Sequence, residues 1–179
     1  MRAVVVYESM FGNTEEIARA VAAGLSETAT VAIAEVGTHP NVDGVDLLVV
    51  GGPTHAFGMS RPSTRKDAET RTGRRVISAT GLREWLDGLH EVPATTRVAA
   101  FDTRIRRPRL PGSAAKAALK TLRGKGAVAV VPAETFWVHG TTGPLLADEV
   151  ARARTWGRAL GERLASSGTP GPSTLTRTP

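Results

Sequence analysis

The sequence predicts an α/β fold: a doubly wound, five-stranded parallel sheet between two helical layers, a three-layer αβα sandwich. Three observations predict it. Short, continuously apolar runs recur along the chain, as in strands buried on both faces. Segments with apolar residues at helical spacing separate them. The chain has 179 residues, 41% of them hydrophobic, enough for one core without staples.

Each element follows from local pattern. Ala3 to Tyr7 reads as the first strand. Thr14 to Ser26 carries Ile17, Ala18, Val21, Ala22 and Leu25 on one helical face. Val31 to Val36 is a second strand. Val36 to Asp43 is too short for a helix, so the next crossover lacks a clear one. Asp46 to Val50 is a third strand, ended by Gly51 and Gly52. Residues 53–80 are polar, rich in Arg, Ser and Thr, with little periodicity. Leu82, Trp85, Leu86 and Leu89 return to helical spacing. Arg97 to Phe101 is a fourth strand, Ser113 to Arg123 an alanine-rich helix, and Ala127 to Val131 a fifth strand that Thr135 to Val138 can continue. Val150, Ala153, Gly157, Leu160 and Leu164 mark a last helix. One domain over residues 1–165 is expected. Residues 166–179 are almost all Ser, Thr, Pro and Gly and read as a disordered tail.

Several chemistries are excluded. With no cysteine there is no disulfide scaffold, Cys-based zinc site or thiol nucleophile. The histidines His39, His55, His90 and His139 lack metal-ligand spacing, so no metal is expected. There is no GxxxxGK[ST], GxGxxG or GxSxG motif. No apolar run reaches a membrane span, and the first residues do not read as a signal peptide, so a cytoplasmic setting is expected. Trp85, Trp137 and Trp156 are expected in the core.

In such folds ligands sit at the carboxyl ends of the strands. Chemistry is therefore expected in residues 8–14, 51–65, 102–111 and 139–146. The segment Glu8-Ser9-Met10-Phe11-Gly12-Asn13-Thr14 suits an anion. Ser9 and Thr14 bring hydroxyls, Gly12 permits close backbone approach, and the first-turn amides of a helix lack partners. Capping of the helix by Ser9 or Asn13, with Gly12 making the turn, accounts for the same composition.

This segment resembles the phosphate-binding loop of the flavodoxin-like family, Ser/Thr-x-Thr/Ser-Gly-x-Thr. Ser9, Gly12 and Thr14 match, and Phe11 stands where a hydroxyl is common. The Ser-Met-aromatic version is similar to the flavodoxin modules of flavodiiron proteins. Val49-Val50-Gly51-Gly52-Pro53-Thr54 resembles the family's third strand and the loop beside the flavin. The resemblance implies strand order 2-1-3-4-5 and FMN as cofactor. It implies that Ser9, Phe11, Gly12, Asn13 and Thr14 hold the phosphate, with Met10 at the ring edge or phosphate chain. Pro53, Thr54 and His55 would line the ring, with one face left open or covered by His55 or Phe57. Asp102, Thr103 and Arg104 would meet its pyrimidine side or the ribityl chain. No catalytic residue is implied.

Charge departs from the family pattern. The formal net charge is +6, unevenly spread: residues 1–59 carry −5, residues 60–125 carry +10 and residues 126–179 carry +1. Arg104, Arg106, Arg107 and Arg109 fall in the loop expected beside the ring, and Arg61, Arg65 and Lys66 in its neighbour. Similar electron carriers are acidic there. Cations near the ring would favour its anionic reduced form, and arginine also suits phosphates. A solvated arginine loop is the plainer reading of the same residues. The expected function is FMN-dependent electron transfer, as a two-electron oxidoreductase using NAD(P)H or a quinone. A one-electron carrier for an anionic redox partner, a flavin-less basic binding module and a deazaflavin protein are alternatives. Nucleic acid is not expected, because no recognised binding module is present.

Overall fold

The computed structural model describes residues 1–167 except Ala56, Arg74, Arg109 and Leu110. Arg109, expected beside the ring, and residues 168–179, most of the expected tail, lie outside the described residues. In chain order the elements are β1 (Arg2–Tyr7), α1 (Asn13–Leu25), β2 (Thr30–Glu35), β3 (Leu47–Pro53), α2 (Pro62–Thr72), α3 (Leu82–Gly88), β4 (Arg97–Ile105), α4 (Ala114–Gly124), β5 (Val128–Ala129), β6 (Glu134–Val138) and α5 (Glu149–Ser167).

The strands pair in the order β2-β1-β3-β4-β5, all parallel, and β6 also pairs with β4. The expected order 2-1-3-4-5 is therefore present. The fifth position is shared by two short strands. Ala129 lies opposite Val98 and Glu134 opposite Phe101, so the edge chain uses two more residues than β4 over that stretch. The bulge contains Pro132, which has no amide for the ladder.

Alternation sorts the strand residues into two cores. Val4, Val6, Leu48, Val50, Val98 and Ala100 pack with α3 and α4. Ala3, Val5, Tyr7, Leu47, Val49, Ala99 and Phe101 pack with α1 and α5. Phe101, Phe136 and Trp156 meet edge to face on that second side, with ring centroids 5.9–6.2 Å apart. The connection from β2 to β3 contains only a 3-10 turn, Val36–Thr38, as its length implied.

Three local expectations are corrected. Gly51 and Gly52 do not end β3, which runs on to Pro53 because both glycines still pair with β4. The fourth strand continues to Ile105, so Asp102, Thr103 and Arg104 are strand residues, not loop residues. The polar stretch 53–80 contains α2, which buries only Arg65 and Ala68 and so shows no apolar stripe. Pro62 opens α2, Thr64 Oγ1 accepts the Arg61 amide at 2.8 Å, and Gly73 closes it with φ 64. Among the described residues no helix is long and apolar enough to cross a membrane.

Candidate functional site

The loop between β1 and α1 is pinned on both sides. The Ser9 amide donates to Ser78 Oγ at 2.9 Å, and the Ser78 amide returns a bond to the Ser9 carbonyl at 3.0 Å. Ile77 donates its amide to the Met10 carbonyl. Ser9 is fully buried, and its Oγ accepts from the amides of Gly12 (3.1 Å) and Glu15 (3.3 Å). Ser9 therefore caps α1. Gly12 has φ 95, and an added Cβ would meet nothing within 4 Å. Glycine is needed there for backbone conformation, and the space above it is open. Next to that space, the first-turn amides of Asn13 and Thr14 have no intrahelical carbonyl to bind.

Around this loop a cavity of about 60 Å³ opens at the carboxyl ends of β1, β3 and β4. It brings together Met10, Phe11, Asn13 and Thr14 from the first loop, Pro53, Thr54 and His55 after β3, and Thr103 and Arg104 on β4. Ile105, Val138 and Thr141 complete it without having been named individually, and only Val138 lies outside the expected segments. Thr141 lies in the 139–146 loop, where strand polarity alone pointed. That loop is held on the first one: Asn13 Nδ2 donates to the Thr142 carbonyl at 3.1 Å. The Thr14 and Thr103 hydroxyls share a hydrogen bond of 2.7 Å, joining α1 to β4.

Four expected residues do not line this cavity: Ser9 and Gly12, which shape the first loop, and Asp102 and Phe57. Asp102 is fully buried, because it continues the parity of Val98 and Ala100 beneath α4. Its carboxylate accepts from the Thr54, Ser113 and Thr135 hydroxyls at 2.5–2.8 Å and from the Ala115 amide at 3.2 Å. It ties the loop after β3, the start of α4 and β6 into one unit. Phe57 sits outside, 61% exposed, with φ 73. The turn that carries it is closed by hydrogen bonds between His55 and Gly58. His55 lines the cavity, and burial, then the Arg71 charge, lower its pKa, so it is neutral at pH 7.

This geometry can be set beside known proteins. The family model described as Flavodoxin matches residues 5–81. No curated protein sequence matches the chain. Solved structures match over nearly its whole length. A flavodoxin from the domain Archaea is 18% identical, covering 92% of this chain and 99% of that one, with TM-score 0.63. Oxidised Flavodoxin 1 from Bacillus cereus is 18% identical, covering 90% and 98%, with TM-score 0.65. The Flv1 flavodiiron core from Synechocystis sp. PCC6803 is 15% identical, covering 93% of this chain but 36% of that one, with TM-score 0.63.

The fold is flavodoxin-like. Within that fold, two features depart from what the sequence suggested. First, Trp137 is not in the core. Phe136 points to the α1–α5 side, so its neighbour Trp137 faces the α4 side, opposite Arg104 in the register. The Arg104 guanidinium lies over the Trp137 ring, 5.8 Å from its centroid, and donates to the Gly112 carbonyl at 2.7 Å. Trp85 is in the core on the α3–α4 side, and Trp156 packs against the core on the α1–α5 side, as expected. Alternation along Glu134–Val138 was the signal that could have separated Trp137 from the other two.

Second, the cations of the chain divide. Arg65, expected beside the ring, is instead buried. It bonds Ser60 Oγ at 2.8 Å and pairs with Glu84 at 3.0 Å. Ser60 in turn donates to the buried Glu8 at 2.5 Å, and the Leu82 amide donates to the other Glu8 oxygen at 2.8 Å. Burial raises the Glu8 pKa against those bonds and the Arg65 charge. Among the described residues, Arg104 alone of the expected arginines lines the cavity, whereas Arg106 and Arg107 are exposed beyond it.

Proposed function

We propose that this chain binds FMN and transfers electrons as a two-electron oxidoreductase of the NAD(P)H or quinone type. The family match supports FMN as the cofactor. The observation that carries the reading is the open space over Gly12, beside the first-turn amides of Asn13 and Thr14. A phosphate monoester fits there without a cationic side chain, because those amides and the helix dipole favour an anion. Met10 and Phe11 would border the phosphate chain. Pro53, Thr54 and His55 on one wall and Thr103, Arg104 and Ile105 on the other would border the remainder. The enclosed space, about 60 Å³, suits a phosphate and not a tricyclic ring, so the ring would lie at the open mouth. Bound FMN would supply reversible redox chemistry in one- or two-electron steps.

The chain's own residues set the conditions for that chemistry. Asp102 holds Thr54 in place through their 2.8 Å bond, and the Thr54 amide donates to the Thr103 carbonyl at 2.9 Å, so both walls move as one. Neutral His55 adds no charge at pH 7, leaving Arg104 as the cation at the cavity among the described residues. A cytoplasmic setting belongs to this reading.

Purified protein should show flavin absorption bands, or quench the fluorescence of added FMN to saturation at one equivalent. A colourless protein that leaves FMN fluorescence unchanged would sink the proposal. With FMN loaded, turnover of NAD(P)H with a quinone supports the two-electron reading. Reduction that stops stably after one electron supports a carrier with an anionic partner instead.

A further inference from the structure

Trp137 stands between two concave surfaces outside the cavity just described. One, about 710 Å³, is lined by Phe57, Arg104, Ser113, Lys116 and Trp137. The other, about 810 Å³, is lined by Arg106, Arg107, Pro108, Trp137 and Glu149. The ring is partly exposed, and its backbone is fixed. The Trp137 amide donates to Glu149 Oε2 at 3.1 Å, and its carbonyl accepts from the Leu146 amide at 2.9 Å.

The charge around this ring is positive and poorly compensated. Among the described residues, no ion pair reaches Arg106, Arg107 or Lys116. The two carboxylates near Trp137 are already engaged. Glu149 is bound by Arg152 at 2.6 Å, and Asp102 lies buried under its four donors. Two consecutive guanidiniums favour an anion with two adjacent phosphates, because each offers a planar fork for phosphate oxygens. A partly exposed indole face beside them, with the exposed Phe57 ring across the groove, favours a planar aromatic group.

We infer that the grooves flanking Trp137 bind a nucleoside diphosphate group. Its pyrophosphate is held by Arg106 and Arg107, and its base packs on Trp137. The inference extends the oxidoreductase reading by giving a pyridine dinucleotide a docking place, yet nucleotide binding can be read without flavin. Here the charge lines concavities of nucleotide size, around an aromatic ring.

Calorimetric titration of the full chain with ADP, AMP, inorganic pyrophosphate and NADP+ tests this. ADP and NADP+ should bind saturably at one equivalent, with AMP about tenfold weaker. R106Q/R107Q should weaken ADP by about tenfold or more, in a salt-dependent way. Both side chains are exposed, so the fold should persist, and circular dichroism checks it. Trp137→Leu should weaken ADP and leave inorganic pyrophosphate unchanged. The inference is overturned if ADP does not saturate, or if R106Q/R107Q binds ADP like the native chain. One-for-one displacement of ADP by FMN would also overturn it, as would displacement by a polyglutamate peptide of higher affinity. A chain that binds ADP but not FMN would refute the flavin reading and leave this one standing.

Discussion

Glu8 continues the parity of Val4 and Val6 on β1 and is as deeply buried as they are, at 1% exposure. Gly52 on β3 and Asp102 on β4 stand beside it in the same row, so the apolar face ends in a buried polar one beneath the loops. The two acids differ in their partners. Asp102 has four donors, whereas Glu8 has two and a raised pKa, chiefly from burial. In the unfolded chain Glu8 titrates near 4.5. The folded state therefore holds the proton over a range above that value. Its stabilising contribution is complete below 4.5 and fades as pH rises through the folded pKa. Glu8→Gln removes this dependence. Denaturation midpoints of the native chain should fall relative to Glu8→Gln as pH rises from 4.5 towards neutrality. Parallel curves for the two proteins would show that burial does not control Glu8. Much at this scale was legible: the segments that strand polarity singled out contain eleven of the twelve residues around the cavity, all but Val138. What failed was side-chain direction at Asp102 and Trp137. Direction depends on where each strand ends and on its parity, and β4 was expected to end at Phe101 rather than Ile105.

Between elements, the closest packing is that of α1 on α5. A Cβ on Gly157 would lie 2.2 Å from the Val21 carbonyl oxygen, and one on Gly24 would lie 1.9 Å from the Arg154 carbonyl oxygen. Backbone meets backbone there, so no side chain can give way. Gly157→Ala gains about 1 kcal/mol of intrinsic helix preference. Overpacking costs about 1–3 kcal/mol and falls at the upper end when the obstacle is main chain. The net effect should be a loss of about 1–2 kcal/mol, or roughly 2–8 °C in melting temperature. An unchanged or higher melting temperature would mean the helices can part without loss. α5 itself was plain in the sequence because its apolar residues recur at helical spacing. α2 was not, since its anchor is Arg65 in an ion pair with Glu84, and polar anchors leave no periodic trace. Pro62 and Gly73 were its only local signals.

Across the whole molecule, folding redistributes the basic middle third. Some of its charge is spent internally, as in Arg65 with Glu84 and Arg71 with Asp67, while Arg104, Arg106, Arg107 and Lys116 gather at the ligand end of the sheet. Composition alone could report the surplus but not this placement, because ion pairing depends on tertiary contacts. Arg104 is the member of that group at the cavity, and it is partly buried, so solvent screens it less than Arg106 or Arg107. A cation beside the cofactor favours its reduced, anionic form and raises the reduction potential. Arg104→Gln removes the charge while keeping a side chain that can donate to the Gly112 carbonyl. A partly exposed charge is worth about 1 kcal/mol or less, which for a two-electron couple is on the order of 10–20 mV. The potential of FMN bound to Arg104→Gln should be lower than that of the native protein by about that amount, with the gap narrowing in high salt. Potentiometric titration of both proteins at two salt concentrations measures it. A potential that stays the same or rises on losing Arg104 would mean that the basic end of this fold serves ligand docking and not redox tuning.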